Sequence, residues 1–128
     1  MEYRRLGGSG LQVSAIGLGT NTFGTDVDLP KADAVIGAFI DAGCNFIDSA
    51  DSYPPGGKQG DSEVIIGQAL KNGRREKVLV ATKFYSRVGN LPNDVGGSLL
   101  APNTPGQLRA MRALSWAILH LTPLNANA

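Results

Sequence analysis

The feature that most constrains this chain is a three-fold alternation in its first 94 residues, in which a short apolar run ends in a polar residue and a loop, and the runs are separated by helix-like segments. Ser14 to Gly19 (SAIGLG) runs into Thr20 and Asn21, Asn45-Phe46-Ile47 runs into Asp48, and Val78 to Thr82 (VLVAT) runs into Lys83. Apolar runs of strand length, separated by amphipathic helices, are how parallel α/β units are written. The helices have their own signals. Pro30 suits an early helical position, Val35, Ala38, Phe39 and Ala42 are expected to share the buried face, and Gly43 supplies a left-handed end over 30–42. A second helix is expected from Asp61 or Ser62 as cap, with Glu63 at its positive end, an apolar stripe of Ile65, Ile66, Ala69 and Leu70, and Gly73 as its stop. Ahead of these units, Tyr3 to Leu6 and Leu11 to Val13 flank Gly7, Gly8, Ser9 and Gly10, which predicts a β-hairpin acting as a plug or lid.

The βαβαβ order makes the fold class α/β, and right-handed crossovers place the helices outside the sheet, in either a barrel or an open doubly wound sheet. Both architectures put their chemistry at the carboxyl ends of the strands. Asp48 and Lys83 stand at two such ends. On neighbouring strands roughly 4.8 Å apart they would pair. Tyr53 follows Asp48 in the same loop, with Pro54 after it favouring extended backbone at Tyr53. A phenol beside an ammonium is expected to titrate low and to serve as an acid near neutral pH.

Composition excludes several classes. Twelve basic and 11 acidic residues give a net charge of +1 with no basic face, so nucleic acid and anionic membranes are not expected partners. No apolar run approaches the roughly 18 residues of a membrane span. The single cysteine, Cys44, cannot form an internal disulfide and is expected in the core, and the opening MEYRRLGGSG lacks a secretory leader, so a cytoplasmic location is expected. Gly17, Gly19 and Gly24 lack dinucleotide-loop spacing, Lys58 in the loop PPGGKQG is expected to be solvated at a flexible rim of the substrate opening, and no metal site is expected.

Gly43 to Tyr53 (GCNFIDSADSY), then Asp61-Ser62-Glu63, Ile66 to Leu70 (IGQAL) and Lys77 to Lys83 (KVLVATK), resembles the aldo-keto reductases in content and spacing, as does YRRLGGSGLQVSAIGLGTNTFG at the start. The resemblance covers about residues 3–94. It implies a (β/α)₈ TIM barrel, here its N-terminal hairpin and first three βα units, that binds NADPH without a Rossmann motif and reduces carbonyl compounds to alcohols. By that resemblance Tyr53 is the proton donor, Lys83 lowers its pKa, and Asp48 pairs with Lys83 near the nicotinamide. Thr20 and Asn21 fall where the family's first loop approaches the cofactor. The family's fourth catalytic residue is a histidine. His120, the sole histidine, is the candidate, although its surroundings (WAILHL) depart from the family's acidic, apolar strand end.

Residues 1–94 are therefore expected to form the first part of such a barrel, and 95–128 an atypical tail. From Val95 onward there is no Asp, Glu or Lys, and spacing from Pro105 to Leu121 allows a short helix. A barrel of this type typically needs about 250 residues, so the tail is expected to reflect a frameshift or premature stop. Two other outcomes of the resemblance are an inactive remnant and a non-catalytic regulatory subunit that binds the nicotinamide cofactor.

Overall fold

In the computed structural model the described residues are 1–83, 86, 87 and 90; the tail, His120 and the helix expected at 105–121 lie outside them. Eight short elements follow the expected order: β1 (Tyr3–Arg5), β2 (Gln12–Ser14), β3 (Gly17–Gly19), α1 (Leu29–Asp41), β4 (Phe46–Asp48), α2 (Asp61–Ala69), a 3₁₀ turn (Arg75–Lys77) and β5 (Leu79–Ala81). The hairpin forms, with β1 and β2 antiparallel and Arg4 opposite Val13. It takes Ser14, which leaves the first barrel strand shorter than the SAIGLG run. Ser14 Oγ donates to the Ile16 carbonyl, 2.6 Å away, where the chain bends between the two sheets.

The second sheet is parallel, with spatial order β3-β4-β5. Because spatial order follows chain order, two right-handed crossovers put both helices on one face, as in a growing barrel; a doubly wound sheet reverses direction to cover both faces. The helices do share a face. Ile36, Ile47, Ile66, Ala69, Leu70, Val78, Phe23 and Ala32 form one buried cluster, with Leu18 and Val80 packed against it. Leu18, Ile47 and Val80 are register partners across the three strands, so this row faces the helices. By the two-residue alternation of strands, Gly19, Asp48 and Ala81 form a row on the opposite, barrel-interior face. Gly17 lets the Phe46 ring lie close to the first strand: a Cβ there would stand 3.2 Å from the ring and press on it.

The face expected for α1 is corrected. Val35 is 41% exposed and Ala38 and Ala42 are also exposed, whereas Ala32 and Ile36 are fully buried and Phe39 and Ile40 pack against the cluster. The helix is rotated so that Ile36 goes fully inside, a burial that contributes about 1.5–3 kcal/mol. Asp28 caps α1 by accepting from the Lys31 N–H. Gly43 has φ +77°, as expected of the left-handed residue after a helix.

The start of α2 is corrected too. Gly60, at φ +86°, is its N-cap, and Ser62 is buried rather than capping. The helix ends at Ala69, before Gly73. Cys44 is buried, as expected of a core residue. No helix among the described residues is long and apolar enough to cross a membrane.

Candidate active site

The parallel register puts Asp48 at the carboxyl end of the central strand with Gly19 and Ala81 beside it. Lys83 lies two residues past Ala81, so its side chain returns to the same face, and the small Ala81 leaves it room. Lys83 Nζ donates to Asp48 Oδ2 at 2.6 Å and to the Ser49 carbonyl at 3.0 Å. Nζ also lies 5.2 Å from the centroid of the Tyr53 ring. Thus the structure brings together Asp48, Tyr53 and Lys83, as the strand-end spacing requires. Burial alone would lower the Lys83 pKa, but the hydrogen bond and charge of Asp48, aided by Tyr53, outweigh it and hold the ammonium above its usual range. The pair remains open to solvent, at 55% for the Lys83 side chain and 43% for Asp48. It is reachable by a ligand.

Tyr53 is followed by a cis bond to Pro54. The loop closes back on itself, since Gly60 N–H donates to the Tyr53 carbonyl at 3.0 Å. It is tightly packed: a Cβ on Gly57 would stand 2.7 Å from Pro54 Cγ, and one on Gly24 3.0 Å from Asp61 Cβ. Lys58 is 84% exposed, 4.0 Å from Asp61.

Thr20 and Asn21 divide. Asn21 is exposed at the end of β3. Thr20 is fully buried; its hydroxyl donates to the Asp48 carbonyl at 2.9 Å, and its backbone N–H reaches the same oxygen at 3.1 Å. Thr20 therefore fixes the strand end that carries Asp48. Among the described residues no group of three or more His, Cys, Asp or Glu side chains is placed to hold a metal.

Four polar residues around the site had no place in the sequence expectation for it. Ser49 and Ser62 are fully buried, with hydroxyl oxygens 3.2 Å apart. Ser62 Oγ also donates toward the Thr20 carbonyl at 2.9 Å. Asp51 is 5% exposed and accepts from the Ser86 N–H at 3.1 Å, while Glu63 accepts from the Thr82 hydroxyl at 2.7 Å. Burial raises the Glu63 pKa; the Thr82 hydrogen bond opposes this and the charge of Asp51 adds to it. Besides their place in the motif Asp61-Ser62-Glu63, the two helical residues were read only for their position in the first turn of α2, Ser62 as a possible cap and Glu63 as a charge at its positive end.

Fold and site together define part of an α/β barrel, with a Lys–Asp pair and a tyrosine at the carboxyl end of its strands. The sequence profile of the Aldo/keto reductase family matches residues 15–106, and the chain belongs to that family of oxidoreductases. It is 44% identical over 96 residues to the uncharacterized oxidoreductase YrpG of Bacillus subtilis, covering 73% of this chain and 29% of that protein. It is 42% identical over 99 residues to a probable voltage-gated potassium channel subunit beta of Oryza sativa subsp. japonica, covering 75% of this chain and 29% of that one. The holo form of aldo-keto reductase AKR11C1 from Bacillus halodurans superposes with a TM-score of 0.60 at 30% identity, over 94% of this chain and 36% of that structure. The chain thus spans less than a third of the length of these two sequence relatives.

Proposed function

We propose that this site reduces an aldehyde or ketone to an alcohol with NADPH, Tyr53 serving as the proton donor. The observation that carries this reading is the Lys83 ammonium held by Asp48 at 2.6 Å and beside the Tyr53 ring at 5.2 Å. As the Tyr53 proton passes to the carbonyl oxygen, the adjacent ammonium offsets the negative charge developing on the phenol oxygen. Asp48 keeps Lys83 charged and aimed. The residues present suit the nicotinamide end of a cofactor: the partly exposed Asp48 carboxylate and the exposed Asn21 amide offer acceptors and a donor, and a Cβ on Gly19, the register partner of Asp48 and two residues before Asn21, would meet nothing within 4 Å. Thr20 contributes by holding the Asp48 carbonyl. When bound, NADPH supplies the hydride that goes to the carbonyl carbon.

A second reading, favoured by the 42% identity to the rice channel subunit beta, is a regulatory subunit that binds the cofactor without turning it over. A third is an inactive remnant that keeps these residues without the activity. Titration of the 128-residue chain with NADPH, followed by fluorescence and then by NADPH oxidation with an aromatic aldehyde, separates them. Saturable binding with turnover that falls by about 10²–10⁴ in Tyr53→Phe supports the reductase. Binding without turnover supports the regulatory subunit, and no binding supports the remnant.

A further inference from the structure

The first turn of α2 touches every strand end that carries the candidate site. Ser62, fully buried, donates toward the Thr20 carbonyl after β3 at 2.9 Å and lies 3.2 Å from the Ser49 hydroxyl after β4. Glu63, the next residue, accepts from the Thr82 hydroxyl after β5 at 2.7 Å. Each contacted residue is a sequence neighbour of a candidate site residue: Thr20 precedes Asn21, Ser49 follows Asp48 and Thr82 precedes Lys83. The same turn takes hold of the third member of the site, since the N–H groups of Gly60 and Ser62 both point at the Tyr53 carbonyl, at 3.0 and 3.4 Å.

We propose that Ser62 and Glu63 are positioning residues, a two-residue clamp by which the first turn of α2 sets the separation of β3, β4 and β5 at their carboxyl ends and so holds Lys83 against Asp48. Adjacent helical residues project about 100° apart, which is why Ser62 reaches β3 and β4 while Glu63 reaches β5. A hydroxyl serves at position 62 because the site is fully buried and narrow, and it can donate and accept at once. A longer acceptor serves at position 63 because Thr82 lies one strand farther on. Neither residue touches the Lys83–Asp48 pair itself, so their effect passes through backbone placement. The clamp concerns the same site as the proposed reductase function, but its geometry exists without cofactor and is testable without turnover.

The test is a pH titration of Lys83 in the cofactor-free 128-residue chain, read by NMR after reductive ¹³C-methylation, with Lys83→Arg identifying the resonance and Asp48→Asn marking the value of an unpaired Lys83. Ser62→Ala and Glu63→Ala are expected to move the Lys83 titration toward the Asp48→Asn value by about half a pH unit or more. Glu63→Gln, which keeps an acceptor for Thr82, is expected to restore it. Gln68→Ala, on the exposed side of the same helix, is expected to leave it unchanged. If Ser62→Ala fails to fold, the Glu63→Ala and Glu63→Gln pair still decides. A Lys83 titration equal to wild type in the folded alanine variants, or equally displaced in Glu63→Gln and Glu63→Ala, overturns the clamp. Absence of NADPH turnover with these shifts intact would instead count against the reductase reading and leave the clamp standing.

Discussion

At the amino end of β4, Asn45 uses its side chain to tie the hairpin down: its Oδ1 accepts from Ser14 N–H at 2.7 Å, its Nδ2 donates to the Gln12 carbonyl at 3.0 Å, and its own N–H is answered by Ser14 Oγ. At the carboxyl end of the same strand, three residues on, Asp48 accepts from a side chain, Lys83, and stays partly open to water. One end is closed by contacts between side chain and backbone that consume its polar groups. The other presents a charged pair beside a phenol, with hidden hydroxyls holding the backbone beneath it. A group whose hydrogen-bonding capacity is already met within the fold serves stability, whereas an exposed pair set on a rigid, buried polar layer is free to meet a ligand.

The strongest way to break this contrast is to remove what both ends share. Ile47 is fully buried between them, and Ile47→Ala is expected to cost about 2–5 kcal/mol, seen as an earlier urea midpoint, with NADPH binding lost in step. Asn45→Ala should separate the ends. It is expected to lower stability by about 1–3 kcal/mol through unpaired backbone groups under the hairpin, while the Lys83 titration in the remaining folded protein stays at its wild-type value. A Lys83 shift in Asn45→Ala would show that the two ends are not independent.

A smaller effect sharpens the carboxyl end alone. Because the folded-state pKa of Glu63 is raised above 4.5, chiefly by burial, its contribution to stability is fully present below about pH 4.5 and is lost as the pH rises through the folded value. Glu63→Gln removes that dependence. Urea midpoints measured across pH should show the variant gaining on wild type toward neutral pH and losing the advantage in acid; an advantage that widens in acid would contradict the burial of this carboxyl.

The strand ends were readable from sequence because strand chemistry is local: a short apolar run ends where a polar residue begins, and register then brings Asp48 and Lys83 together. The hairpin was equally readable from its glycine-rich turn. What the sequence did not specify was rotation. In α1 the segment AVIGAFI is apolar on more than one face, so periodicity admitted Val35 and Ala38 as readily as Ile36 and Ala32. Tertiary packing against Ile47 chose between them. Ser62 was misread for a related reason, because a serine in a first helical turn is usually a cap, and only the nearness of two strand ends makes it a buried bridge. Gly60 takes the cap instead through a left-handed φ.

The central claim is that Asp48, Tyr53 and Lys83 form one working unit at the carboxyl end of this sheet, and the most direct test is a double-mutant cycle on the rate of NADPH oxidation with an aromatic aldehyde. Residues that act as a unit give penalties that do not add. Lys83→Met combined with Tyr53→Phe is expected to be no slower than Tyr53→Phe alone, whereas penalties that multiply, or a Tyr53→Phe variant as fast as wild type, would contradict the claim.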